Sequence, residues 1–138
     1  DHSVGLVVID YLQLIRAEQL MLDRRSTSGI TGVLKQLARE LNIPVIVTSQ
    51  LNKNLEKRID KRPTNADLPD FGAIEEDADV ILHIYRDDIY HDDSEHKGTA
   101  EIIIGKQRNG KTGAIRMAFN CEWSRFSDFS GNAILEDY

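Results

Sequence analysis

Residues 5–14 read Gly-Leu-Val-Val-Ile-Asp-Tyr-Leu-Gln-Leu, and the step from Ile9 to Asp10 decides the fold. Leu6 to Ile9 is a short, β-rich apolar run of the kind that forms a strand buried on both faces. A carboxylate that ends such a run abruptly belongs at the sheet's edge. In open α/β sheets, ligands lie outside the carboxyl ends of the strands, which is where Asp10 falls. The alternative is an Asp that merely starts a turn or caps a helix.

The flanking sequence supports an α/β sheet. Ile15 to Gly29 is polar and loop-like and contains Arg24 and Arg25. Ile30, Val33, Leu34, Leu37, Ala38 and Leu41 then recur at the spacing of one helical face. Ser28 is a candidate N-cap, and Asn42 with Pro44 closes the helix. Pro44 to Ser49 reads as a second β-branched strand ending in Gln50. Strand, helix and strand in that order predict a βαβ crossover and hence a parallel sheet. Further on, Val80–Tyr85, Thr99–Gly105, Ala114–Phe119 and Trp123–Phe129 read as strands, with Ala73 to Asp79 as a helical turn between loop and sheet. The rear half therefore predicts antiparallel hairpins added at the C-terminal end of the same sheet.

Composition narrows the class of protein. The 138 residues are enough for one core, and 41% hydrophobic with 29% charged residues is globular. No apolar run is long enough to span a membrane, and no signal peptide is visible. Cys121 is the single cysteine, which excludes an internal disulfide framework and fits a reducing interior. A net charge of −6 argues against a surface coated for gripping duplex DNA, while leaving room for a local basic strip. The chain opens Asp-His-Ser rather than with Met, as expected of a piece of something longer.

Asp10 at a strand end has the form of a Walker B element, whose aspartate holds Mg²⁺ beside a nucleotide's phosphates. Gln50 ends the neighbouring strand and could share its rim, where an amide can donate to a γ-phosphate; the alternative is a solvated strand-end Gln. Gly105-Lys-Gln-Arg-Asn-Gly-Lys-Thr112 satisfies the P-loop pattern letter for letter. A P-loop needs a helix at its end to aim N–H groups at phosphate. Here Gly113 and the alternating Ala114–Phe119 predict a hairpin turn and strand instead. Lys106 and Arg108, two apart at a strand exit, would then be solvated cations or a finger reaching a neighbouring subunit's phosphate.

Leu51 to Phe71 is a long polar excursion with Lys53, Lys57, Arg58, Lys61 and Arg62. It reads as a solvated face or as a loop tracking a nucleic-acid backbone, without aromatic residues for base stacking. The acidic and histidine-rich stretch 87–96 matches no metal-binding spacing and reads as a hydrophilic hairpin turn. His83, mid-strand among apolar residues, reads as a core histidine.

These segments together resemble the motor domain of the DnaB family, the hexameric bacterial replicative DNA helicases. The matching stretches are Ile9-Asp-Tyr-Leu-Gln-Leu14, Leu34-Lys-Gln-Leu-Ala-Arg-Glu-Leu41, Ser49-Gln-Leu-Asn52 and Asp60-Lys-Arg-Pro63. Gly72-Ala-Ile-Glu-Glu-Asp-Ala-Asp79, Tyr85-Arg-Asp-Asp88 and Glu101-Ile-Ile-Ile-Gly-Lys-Gln-Arg-Asn-Gly110 follow in family order. The resemblance implies an α/β, RecA-like P-loop NTPase core, mainly parallel at the front, and ATP-driven 5′ to 3′ translocation on single-stranded DNA. It implies a homo-hexamer with nucleotide sites between neighbours, primase and a helicase loader as partners, no membrane, and a bacterial, nucleoid-associated cytoplasmic location.

By the same resemblance, Asp10 holds Mg²⁺ with ATP, and Gln50 senses the γ-phosphate. Lys106 and Arg108 are the finger residues given to the adjacent subunit's ATP. Asp70 and Gly72 fall in a loop whose main chain grips DNA phosphates; Arg24, Arg25, Lys57 and Arg58 are further candidate DNA contacts. Few contacts per subunit, multiplied around a ring, allow an acidic chain to hold DNA. Several positions depart from the family pattern. Pro69 stands where the family has a cation, and Gly29 and Gly32 replace polar helix formers. Lys111 and Thr112 replace a Pro-containing turn and so create the P-loop match. Residues 1–138 are then expected to be the distal part of one RecA-like domain. The true P-loop, its helix, the catalytic glutamate and an N-terminal primase-interacting domain would lie upstream of Asp1, leaving this piece unable to hydrolyse ATP efficiently alone. Two alternatives remain: a non-catalytic RecA-like DNA-binding or regulatory relative, and a permuted, self-contained nucleotide-binding domain using Gly105–Thr112.

Overall fold

The structure, a computed structural model, describes residues 4–15, 27–131 and 134–135. The chain divides into two compact units. The first is Asp1–Asn52 with Ala66–Ala78, and the second is Lys53–Asn65 with Asp79–Tyr138.

In the first unit, β1 (Val7–Ile9) pairs in parallel with β2 (Val45–Val47), in register Val7↔Val45 through Ile9↔Val47. Between them runs α1 (Thr27–Leu41), giving the strand–helix–strand order that the periodicity predicts. The helix begins one residue before Ser28, so Ser28 lies inside it rather than at its N-cap. Its end follows the reading closely. Asn42 takes a left-handed conformation (φ 51°), and the Ile43 N–H donates to the Ala38 carbonyl at 3.2 Å. Asn tolerates that conformation, and Pro44 cannot continue a helix. The strand pair is covered less than anticipated. Val8 and Ile46, opposite one another in register, are 60% and 52% exposed, so the described residues of this chain leave one face of the strand pair uncovered.

A short helix, α2 (Phe71–Asp77), belongs to the same unit and starts two residues before the sequence reading. The Thr31 hydroxyl donates to Asp77 Oδ2 at 2.5 Å, which joins α1 to α2. Gly32 stands beside that bond. Among the described residues a Cβ there would meet only Asp77 Oδ2, at an ordinary 3.8 Å. Nothing in the packing of the described residues requires glycine, so Gly32→Ala is expected to stabilise the protein by about 1 kcal/mol through helix propensity. Equilibrium denaturation checks this; a lower midpoint would mean that the added methyl group displaces Asp77.

The second unit is an antiparallel sheet in the order β3 (Val80–Tyr85), β4 (Thr99–Gln107), β5 (Gly113–Asn120), β6 (Arg125–Ser127), with β7 (Ile134–Leu135) also on β5. Among the described residues the hairpins thus form a sheet of their own rather than extending the parallel one. Hairpin strands find their partners in sequence neighbours, and β3 pairs with β4 over its whole length. Ile81, His83 and Tyr85 alternate inward on β3, and Tyr85 packs with Ile103 and Ala114; Val80, Leu82 and Ile84 face outward. The 87–96 stretch is the β3–β4 connection. Asp87 accepts hydrogen bonds from Ser94 Oγ (2.5 Å), the Tyr85 hydroxyl (2.8 Å) and His91 Nδ1 (3.1 Å). Chiefly the Ser94 bond holds its carboxyl down at about 2 against the opposing effect of burial. Among the described residues no three His, Cys, Asp or Glu side chains form a metal cage, and no helix is long and apolar enough to cross a membrane.

Candidate functional site

The carboxyl ends of β1 and β2 form one polar rim in the first unit. Parallel pairing brings both exits to the same edge, and the backbone carries the alignment past the strands. Thr48 N–H donates to the Ile9 carbonyl at 3.0 Å, and Leu12 N–H donates to the Thr48 carbonyl at 2.9 Å. Leu12, buried at 2% exposure, anchors the 3-10 turn Leu12–Leu14 behind Asp10. Asp10 is exposed at this rim. Its Oδ1 accepts a hydrogen bond from the Thr48 hydroxyl at 2.5 Å, which orients the carboxylate from the neighbouring strand.

Gln50 shares the rim, as the sequence suggests, but three residues past the end of β2. Gln13 bridges the two exits: its Oε1 accepts from the Gln50 N–H at 3.2 Å, and its Nε2 donates to Ser49 Oγ at 2.9 Å. The Gln50 backbone is therefore tied while its side chain stays exposed. The sequence alone does not single out Thr48, Ser49 and Gln13. A hydroxyl pair just before Gln50 and an amide three residues after Asp10 were the available signals, legible only once β1 and β2 are known to be adjacent. The chemistry of the rim fits a hard cation shared with a ligand: one oriented carboxylate among neutral donors suits Mg²⁺ bound through one carboxylate, phosphates and water.

Asp70 takes a left-handed conformation (φ 52°) before α2, and its carbonyl accepts from the N–H groups of Ala73 (3.0 Å) and Ile74 (3.3 Å). Asp70 and Gly72 are both exposed. Arg24 and Arg25 lie outside the described residues.

In the second unit, Gly105 to Gln107 complete β4, residues 108–112 turn, and β5 starts at Gly113. A strand, not a helix, follows the P-loop match. The permuted nucleotide-binding domain built on Gly105–Thr112 is thereby overturned, because no helix N-terminus is aimed at a phosphate there. Lys106 is half-buried near the end of β4. Arg108 lies just past the strand's end, its N–H donating to the Asp79 carbonyl at 2.9 Å and its guanidinium 3.6 Å from Asp79 Oδ1. Both side chains of that ion pair are largely exposed, so it holds Arg108 only weakly.

The excursion before α2 is a folded loop. Buried Leu55 anchors the 3-10 turn Lys53–Lys57, and a second 3-10 turn spans Asn65–Asp67. Lys57 is exposed. Arg58 instead donates to the carbonyls of Asp60 (3.2 Å) and Arg62 (2.5 Å), and Lys61 Nζ donates to those of Glu56 (2.6 Å) and Arg58 (2.5 Å). These two cations help fold the loop that carries them.

The chain matches the family model described as the DnaB-like helicase C terminal domain over residues 1–128. It is 52% identical over 132 residues to the replicative DNA helicase DnaB of Buchnera aphidicola subsp. Acyrthosiphon pisum, covering 95% of this chain and 29% of that protein. To the Pasteurella multocida protein of the same name it is 50% identical over 136 residues, covering 98% and 29%. Two solved structures share its fold. One, an ATPase domain, has a TM-score of 0.83 at 43% identity, covering 91% of this chain and 44% of that one. The other, a DnaB-like replicative helicase whose structure describes its interactions with primase, has a TM-score of 0.78 at 40% identity, covering 91% and 30%. The chain spans under a third of the length of the curated relatives it matches.

Proposed function

Since the chain belongs to the family of DnaB-like helicase C-terminal domains, we propose that it is the distal part of the RecA-like motor of a hexameric replicative DNA helicase. The full-length protein hydrolyses ATP with Mg²⁺, translocates 5′ to 3′ on single-stranded DNA and unwinds duplex at the fork. What carries this reading is identity of about half over nearly the whole chain, which includes the Asp10–Gln50 rim.

Each residue then has a physical task. Asp10, oriented by Thr48, would hold Mg²⁺, which neutralises developing charge on the nucleotide's phosphates when bound. Gln50, its backbone tied to Gln13, presents its amide to the γ-phosphate and transmits the nucleotide state to the loop that follows. Lys106 and Arg108 reach the ATP of the neighbouring subunit. Asp70 and Gly72 offer backbone contacts to DNA phosphates, and Lys57, Arg58, Arg24 and Arg25 add cationic ones. Primase and a loader are partners of the full-length protein, which works in the bacterial cytoplasm at the nucleoid.

The full-length protein is expected to hydrolyse ATP faster with single-stranded DNA than without it. Arg108→Ala should lower the stimulated rate by about a thousandfold, the lower end of what arginine fingers contribute. A ring that binds single-stranded DNA without turnover would overturn the motor in favour of a binding or regulatory relative.

A further inference from the structure

Gly105 sits at an irregularity in β4 with a consequence for Lys106. Lys106 pairs with Ile81 on β3, and Ile104 pairs with Leu82, so Gly105 has no counterpart on β3. The register with β5 ends at Ile104↔Gly113. One extra residue on one strand is a β-bulge, and it reverses the side-chain alternation beyond it. Ile102 and Ile104 lie opposite Ile84 and Leu82, which are both 56% exposed. Without the bulge Lys106 would share that outward face. With it, Lys106 falls opposite Ile81, on the face of His83 and Ile103.

One side chain holds the bulge in place. Asn65 Nδ2 donates to the Gly105 carbonyl at 2.9 Å, and Asn65 Oδ1 lies 2.9 Å from His83 Nε2. A carbonyl can only accept, so the amide nitrogen faces Gly105 and its oxygen accepts from the Nε2–H of His83. His83 is buried at 4% exposure. The two side chains lie where a side chain at Gly105 would have to go. A Cβ there would stand 2.1 Å from Asn65 Oδ1 and 2.9 Å from His83 Nε2. Glycine is required by this packing rather than by any phosphate contact.

We propose that Asn65, held by His83, is a positioning residue for Lys106, acting through the Gly105 bulge. The carbonyl it binds belongs to the peptide that joins Gly105 to Lys106, so the bond sets the plane from which Lys106 leaves the strand. The inference rests on the reading of Lys106 as a residue that acts on the neighbouring subunit's ATP. A displaced catalytic group slows the chemical step more than it weakens substrate binding.

The test uses DNA-stimulated ATPase kinetics of the full-length protein. Asn65→Ala should lower kcat by about tenfold or more with KM for ATP within about twofold of wild type. Asn65→Asp keeps the shape and the acceptor for His83 but cannot donate to Gly105, and it should give the same split where the Ala variant folds poorly. In a Lys106→Ala background, Asn65→Asp should cost less than about a further twofold, because nothing is left to position. An unchanged kcat in Asn65→Asp, beside a large loss in Lys106→Ala, would overturn the positioning role and leave Lys106 intact. Losses that simply multiply in the double variant would overturn it as well. If Lys106→Ala itself has no effect, the reading of Lys106 fails first and the inference falls with it.

Discussion

Asp10→Asn in the full-length protein is expected to lower ATP turnover by at least about a hundredfold, the scale of removing one preorganised electrostatic group from a phosphoryl-transfer site. The substitution keeps the shape of the side chain, and an asparagine oxygen still accepts the Thr48 hydroxyl that orients Asp10. The backbone ties between the two strand exits, Thr48 to Ile9 and Leu12 to Thr48, involve no side-chain charge. Rim geometry should therefore survive while the affinity for Mg²⁺ falls. The measurement is single-turnover hydrolysis over a Mg²⁺ titration, with the variant's half-saturation displaced to higher metal. Thr48→Val, which removes only the orienting hydroxyl, should give a smaller loss. Turnover of Asp10→Asn within a few-fold of wild type would remove the metal role and return Asp10 to a turn residue.

Glu101→Ala is expected to destabilise the protein by about 2–3 kcal/mol, below the cost of breaking a fully buried ion pair because the Arg62 side chain left behind is 33% exposed. Glu101 is 3% exposed on β4. Its two oxygens accept a bidentate pair from Arg62 at 2.8 and 2.9 Å, with Arg116 Nη2 at 3.6 Å. The Arg62 guanidinium also lies 4.7 Å above the Tyr85 ring, a cation–π contact at the edge of the core. Removing the carboxylate leaves two cations without the buried anion they share, and Arg116 Nε already has no hydrogen-bond partner. Replacing Arg62 and Glu101 together with Met should cost less than the sum of the single losses, since neither charge of the pair is then left behind. Chemical denaturation of the three variants decides it. A single-variant loss below about 1 kcal/mol would mean that water reaches the pair freely.

The pair also secures the loop. Arg62 lies in the excursion 51–71, so its bond to Glu101 fixes the segment that carries Lys57 to the sheet. The same excursion contains Asn65, with its tie to Gly105. A stretch that reads as a solvated face or a nucleic-acid-tracking loop is therefore attached at both points by buried or half-buried polar bonds. Neither attachment is legible from local sequence. Arg62 and Glu101 are 39 residues apart, and Asn65 and Gly105 are 40 apart.

Where a signal is local, the sequence reading holds well. The β3 range Val80–Tyr85 follows from its short apolar run, α1 from its apolar stripe, and the stop at Asn42 from left-handed tolerance followed by proline. The hairpin at residues 108–112 follows from Gly113 and the strand period beyond it, against a letter-perfect P-loop match. A single sequence is less informative about what covers a strand. Four consecutive apolar residues predict burial on both faces of β1, and the described residues of this chain cover only one, leaving Val8 60% exposed. Nor does it show that, among the described residues, the hairpins pair with one another and not with β1 or β2, since which sheet a strand joins depends on partners distant in the chain.

Residue type and order alone determined the family, the βαβ front and the candidacy of Asp10, Gln50, Lys106 and Arg108, because those signals are periodic or lie within a few residues. Only the tertiary structure decided how these residues are held: Asp10 by Thr48, Gln50 by Gln13, and the peptide before Lys106 by Asn65 and His83. Each of those contacts joins residues that only strand pairing and loop folding bring within hydrogen-bond distance, and no periodicity in the chain records them.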